Sequence, residues 1–245
     1  MRVLLLGASR NIGYSVAQRL LAKGHTCTLL LRRPDGMQAD PSMNEYIRNG
    51  SAKLVRGDAL VQEDVQKVWD VANSDGQVDL IFFGIGGEPK LSLTKGAIIT
   101  PVDLTTRSMS ILLSVVQEST VRPRLVTISS NGLDDRSHSL LPFPLRILYG
   151  WLLRIPHEDK IGLENNVKQA TSREGWLEAR NSVIVRPALL TSGKCAADTK
   201  KDGYRIGEEL VNAWTISRAD VGHFVVEKVV EDWDRWAGKA WVVAY

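Results

Sequence analysis

Seven short apolar runs recur along the chain, and each is nearly continuous in apolar residues. They span 2–7 (RVLLLG), 26–32 (TCTLLLR), 52–58 (AKLVRGD), 78–84 (VDLIFFG), 124–130 (RLVTISS), 181–187 (NSVIVRP) and 240–245 (AWVVAY). A strand with one wet face alternates apolar and polar residues, whereas a strand apolar at successive positions is covered on both faces. Helical patterns lie between the runs. In the first of them Ile12, Val16 and Leu20 form one stripe beside Ala17 and Leu21, and Gly24 closes it. Strand–helix alternation of this kind predicts an α/β fold, a doubly wound parallel sheet with helices on both faces. No linker, repeat or low-complexity tract interrupts the 245 residues, so 1–245 reads as a single domain.

Composition narrows the partners. Apolar residues make up 44% of the chain, enough for a sizeable core, and the net charge is only +3 with no block of Lys and Arg. Nucleic acid is therefore not expected, and a small-molecule partner is. Cys27 and Cys195 lie far apart, and His25, His138 and His223 show no ligand spacing with acids, so neither a disulfide framework nor a metal site is expected. No stretch approaches the length of a membrane span, and the opening MRVLLLG is too short for a signal peptide. A reducing, cytoplasmic setting is the expectation; monomer and homodimer both stay open.

Segment 131–156 breaks the rhythm. A polar loop, LDDRSHS, leads into LLPFPLRILYGWLLRIP, which is apolar, aromatic and interrupted by prolines. A connection this long after a strand is usually functional, and it leaves a strand end where ligands bind in such sheets. A lid or substrate-pocket wall is expected here. Packing on the domain edge is the plainer alternative. A membrane-surface helix is disfavoured by the presence of only two arginines in that apolar run.

The turn after the first strand carries the sharpest chemistry. In LLLGASRNIGYSVAQRLL an apolar run meets Gly7, reaches Gly13, and passes into the first helix. Strand, glycine turn and helix together place unpaired backbone N–H groups and the positive end of a helix dipole where a pyrophosphate fits. Gly7 permits the tight turn and Gly13 the close approach of the helix, while a purely structural glycine turn is the alternative. This makes the fold Rossmann-type. The second strand ends in Arg32-Arg33, where a preference for NAD would call for an acid. Guanidinium groups bind a 2′-phosphate with charge-assisted bonds, and Arg10 in the turn is expected to join them, so NADP(H) is the expected cofactor.

These residues resemble the short-chain dehydrogenase/reductase superfamily. GASRNIG is similar to its glycine motif, with Asn11 where a glycine often sits, and this implies cofactor contacts from Gly7, Ser9, Arg10, Asn11, Ile12 and Gly13. The GD at 57–58 resembles the motif whose aspartate binds adenine, here Asp58. FFGIGG (82–87) falls where the superfamily's fourth strand ends beside the cofactor, at Gly84 and Ile85. ISS (128–130) resembles the fifth strand's end, with Ser129 and Ser130, and VRPALLTSG (185–193) the loop in which Pro187 covers the carboxamide. PHEDKIGLE (156–164) and ISRADVGHFVVE (216–227) are similar to the atypical, NmrA-like NAD(P)H-binding branch, whose members include redox sensors.

The superfamily's usual reaction needs Tyr-x-x-x-Lys, and here Pro156 stands four residues before Lys160. His157 shares a helix face with Lys160 and is a candidate general acid near neutral pH, and Tyr149 is the other candidate if 131–156 folds back. Plainer roles are a structural bond for His157, pairing with Glu164 for Lys160, and a strand-end hydroxyl for Ser130. The leading expectation is an NADPH-dependent reductase, an oxidoreductase using Ser130, Lys160 and His157 on a fairly apolar carbonyl, imine or activated double bond. The alternatives are a redox sensor without turnover, and a non-redox isomerase or cyclase.

Overall fold

The structure, a computed structural model, describes residues 1–88, 90–92, 96–200 and 202–245. The first half alternates strand and helix: β1 (Arg2–Leu6), α1 (Asn11–Ala22), β2 (Thr26–Leu31), the short α2 (Asp35–Gln38) and α3 (Asn44–Arg48), β3 (Ala52–Arg56), α4 (Gln62–Asn73) and β4 (Leu80–Phe83). A short antiparallel pair follows, β5 (Lys90–Ser92) with β6 (Gly96–Ile98), then α5 (Leu104–Glu118) and β7 (Arg124–Ile128). Next come α6 (Asp135–Ser139), α7 (Phe143–Leu152), α8 (Arg154–Ala170), β8 (Ser182–Pro187), β9 (Leu189–Thr191), β10 (Arg205–Gly207) and β11 (Thr215–Ser217). Then α9 (Arg218–His223) runs into a π-helical stretch over Phe224–Val230, and α10 (Trp233–Trp236) and β12 (Ala240–Ala244) follow.

The main sheet runs β10-β12-β8-β7-β4-β1-β2-β3. Every pairing is parallel except β10 with β12, an antiparallel edge that the apolar runs do not announce. From β1 the chain steps outward to β2 and β3, then crosses to β4 on the other side. The strand order therefore reverses between β1 and β4, where such sheets open a crevice at their carboxyl ends.

Successive strand residues feed opposite faces, which is why the runs are continuously apolar. Leu5, Leu29, Phe82 and Val126 join one core cluster, with Val16 of α1 and Phe224. Leu4, Leu6, Ile81 and Phe83 join the other, with Leu112 of α5 and Leu163 of α8. Each such buried side chain stabilises the fold by about 1.5–3 kcal/mol relative to exposure.

Segment 131–156 forms α6, α7 and the first turn of α8. Asp134 and Ser137 make a capping box at the start of α6. Leu141, Leu145 and Tyr149 make a third small cluster, flanked by Leu148, Leu153 and Leu189. The inner face of α7 is thus buried, while Phe143, Ile147 and Trp151 on its outer face are exposed. Among the described residues no helix is long and apolar enough to cross a membrane.

Candidate active site

The glycine turn is tight enough to exclude side chains. Gly7 has φ +85°, and a Cβ on it would lie 2.5 Å from Gly84 C and Ile85 N, so the turn after β1 rests backbone to backbone on the turn after β4. A Cβ on Gly13 would lie 2.2 Å from the Gly7 carbonyl oxygen. Asn11 has φ +56°, the left-handed region that Asn enters more readily than most residues. This accounts for Asn where the superfamily often has glycine. No side chain caps α1 and its first turn carries no acid, so its N-terminal donors suit a phosphate. Ser9 and Arg10 are exposed at this turn, and Ile12 is buried beneath it. The tight turn and these donors suit the pyrophosphate of a dinucleotide.

The three arginines do not converge as expected. Arg32 and Arg33 stand exposed at the end of β2, but Arg10 pairs with Glu88, beyond β4 on the opposite side of β1. A carboxylate on that side attracts the guanidinium away from β2. The Asp58 carboxylate accepts from the Leu60 N–H at 3.0 Å, and so shapes its own turn at the end of β3.

On the other side of the crevice, α8 brings His157 and Lys160 to the ends of β4 and β7. Lys160 Nζ donates to the carbonyl oxygens of Ile128 at 2.8 Å and Ile85 at 3.3 Å. It does not pair with Glu164. Burial lowers its pKa to about 8, against the opposing charges of Asp159 and Glu164. His157 Nε2 lies 3.3 Å from Ser130 Oγ, and its ring meets that of Tyr149 edge-on with centroids 5.2 Å apart. Segment 131–156 therefore does fold back over the strand end. Tyr149 also packs on Gly132, where an added Cβ would lie 3.3 Å from its ring.

Titration separates the two candidate acids. Burial, helped by His138, pushes His157 down to about 4, so the ring is neutral at pH 7. That desolvation weighs against His157 as a general acid near neutral pH. Burial pushes Tyr149 up to about 12, which keeps the phenol protonated.

A buried ion pair that the motifs did not single out fixes this arrangement. Glu164, 2% exposed, accepts from Arg186 Nε at 2.8 Å and Nη2 at 2.6 Å, and from Ser129 Oγ at 2.7 Å. Burial works against the carboxylate, but Arg186, Ser129 and Lys168 hold its pKa below the usual range. The Ser129 hydroxyl thus points to Glu164. The pair ties α8 to the ends of β7 and β8, and the Pro187 carbonyl closes the same corner by accepting from Asn131 N–H at 3.0 Å. The signal available in sequence was one carboxylate in an amphipathic helix, with an arginine inside an otherwise apolar strand.

A family model for NAD(P)H-binding proteins matches residues 7–232, and the chain belongs to this NAD(P)H-binding family. The resemblance read from the motifs is borne out by that match. A relative named reductase pytE, from Aspergillus terreus, is 27% identical over 257 residues, covering 99% of this chain and 97% of its own. The oxidase pynE of Aspergillus niger is 36% identical over 115 residues, 44% of this chain and 40% of its own. Among solved structures, the anaerobillin reductase ChuY from Escherichia coli O157:H7 superposes with a TM-score of 0.68 at 16% identity, covering 99% of this chain and 96% of that one. A short chain dehydrogenase from Burkholderia cenocepacia J2315 in complex with NADP gives 0.69 at 18% identity, covering 98% and 95%. At these identities the structural matches establish the shared fold.

Proposed function

We propose that the protein is an NADPH-dependent reductase acting on a fairly apolar small molecule that bears a carbonyl, imine or activated double bond. The observation that carries this reading is the cluster of Ser130, His157 and Tyr149 at the end of β7, beside Lys160 of α8 and across the crevice from the glycine turn. Relatives named as a reductase and an oxidase support oxidoreductase chemistry in general.

A nicotinamide cofactor, when bound, supplies the hydride. Gly7, Gly13 and the N-terminus of α1 would hold its pyrophosphate, and Arg32 and Arg33 would hold a 2′-phosphate. Lys160 spends two hydrogen bonds on strand-end carbonyls and keeps a third donor for a ribose hydroxyl. As the acceptor gains electrons, negative charge grows on its oxygen or nitrogen. Tyr149 is the proton donor in this reading: among the described residues its hydroxyl has no hydrogen-bond partner, and the phenol is protonated at neutral pH. Ser130, oriented by neutral His157, donates a second hydrogen bond to the growing charge. Leu141 and, on the inner face of α7, Leu145 pack with Tyr149 and keep this side of the site apolar. The neutral His157 and the missing Tyr-x-x-x-Lys favour the second reading, a cofactor-binding redox sensor without turnover.

One experiment separates them: a screen for substrate-dependent NADPH oxidation with carbonyl and imine compounds, repeated at saturating NADPH with Tyr149→Phe. The reductase reading expects turnover, a roughly 10²–10⁴-fold loss in the variant, and loss of preference for NADPH over NADH in the Arg32→Gln, Arg33→Gln protein. Tight NADPH binding with no turnover across the screen would leave the sensor. Full activity in Tyr149→Phe would remove the phenol from the mechanism.

A further inference from the structure

The outer face of α7 is apolar and faces solvent. Phe143, Ile147 and Trp151 recur every four residues and are 71%, 65% and 50% exposed, whereas Leu145 and Tyr149 on the inner face are buried. A surface helix ordinarily turns such a stripe inward, so an apolar stripe on both sides requires a second partner. Leu91 of β5, 79% exposed, is a further exposed apolar side chain on the neighbouring hairpin. Its strand pairs with β6, and β6 seats Gly96 against the Trp151–Leu152 backbone, where an added Cβ would lie 2.6 Å from the Trp151 carbonyl oxygen.

Charge decides what kind of partner fits, and the absence of acids, together with the exposed stripe, reverses the expectation that two arginines are too few for a membrane surface. Residues 140–157 contain Arg146 and Arg154 and neither Asp nor Glu. Both arginines are exposed, as is Lys90 beside Leu91. The first acid beyond them, Glu158, lies 3.5 Å from Arg154 across one helical turn. A twofold contact with a second copy would set this face against itself, cation against cation, with no carboxylate in the 140–157 run to answer. Anionic headgroups do answer it, and the boundary between headgroups and acyl chains accepts Trp, Phe and Ile side chains while arginine and lysine stems reach outward.

We propose that the outer face of α7, together with Leu91 of the neighbouring hairpin and rimmed by Lys90, Arg146 and Arg154, docks on the surface of an anionic lipid bilayer without entering it as a span. The attachment is independent of whether the chain turns over a substrate. Because the inner face of the same helix packs Tyr149 against His157, docking also sets one wall of the candidate active site beside the lipid.

Co-sedimentation of the full chain with vesicles tests this, using equal parts phosphatidylserine and phosphatidylcholine against phosphatidylcholine alone. The protein should pellet with the anionic vesicles and be released by high salt. Arg146→Gln should weaken binding about fivefold. Ile147→Asp, a change at an exposed position, should weaken it roughly tenfold or more with an unchanged circular dichroism spectrum. Protein that stays in solution with anionic vesicles overturns the proposal, and so does Ile147→Asp pelleting like the unmodified chain. A concentration-dependent dimer in light scattering that Ile147→Asp dissociates would give the face to a second copy and overturn it equally.

Discussion

Replacing Glu164 with Gln probes the ion pair that holds α8 in place. The substitution keeps the side chain's volume and one acceptor but removes the charge. Arg186, whose side chain is 14% exposed, is then left with Asp134 at 3.6 Å as its remaining carboxylate. Removing one member of a buried pair costs about 3–5 kcal/mol, because the other charge stays desolvated without compensation. The retained amide acceptor and Asp134 place the expected loss near the lower end, about 3 kcal/mol. That is a large share of a typical domain's stability of about 5–15 kcal/mol. Urea unfolding at pH 7, followed by far-ultraviolet circular dichroism, measures it. A Glu164→Leu, Arg186→Met double variant should recover most of the loss, since apolar groups then replace both charges. The sign with pH follows from the depressed carboxyl pKa. The contribution of Glu164 is complete above its unfolded value near 4.5 and is lost as pH falls through the lower folded value. The gap between the unmodified protein and Glu164→Gln should therefore close in acid. A loss under about 0.5 kcal/mol, or a gap that widens in acid, would refute the reasoning.

Two further outcomes are expected. His157 carries a folded pKa of about 4 against 6.5 unfolded, so the unfolded chain takes the proton first and stability falls as pH drops between those values. Relative to His157→Asn, the unmodified protein should lose about 3 kcal/mol across that window; parallel stability curves for the two proteins would show an imidazole titrating normally. Gly13→Ala puts a Cβ 2.2 Å from the Gly7 carbonyl oxygen and forces the turn open. NADPH affinity by fluorescence titration should drop roughly tenfold or more, on the order of one charge-assisted hydrogen bond, with a native circular dichroism spectrum. Unchanged affinity would mean that this turn holds no pyrophosphate.

The sheet was legible because burial on both faces leaves a one-dimensional mark, and Leu4, Leu5 and Leu6 feed two cores in alternation. The turn at Gly7 and Gly13 was legible for a similar reason, since backbone contact there forbids side chains. Whatever depends on where two distant segments meet was not. Arg10 lies within the glycine turn in sequence, yet it reaches Glu88, 78 residues on. The nearness of Tyr149 to His157 rests on α7 folding back, which no local pattern specifies. Glu164 in α8 and Arg186 in β8 each look ordinary alone, and only their pairing makes them structural. The edge strand β10 is three residues long, too short for periodicity to register.

The placement of β12 has a consequence for how the chain is made. This last strand occupies an interior lane of the main sheet, between β8 and β10, and β10 bonds to no other strand of that sheet. Residues 205–207 are therefore made before their partner exists, and a further stretch of about 30 residues is added first, a few seconds at ordinary elongation rates. During that interval β8 presents an open edge, the kind of surface that captures stray strands from other molecules. A nascent chain that stalls after residue 235 would keep that edge open, so slow codons in this region should raise its dependence on chaperones.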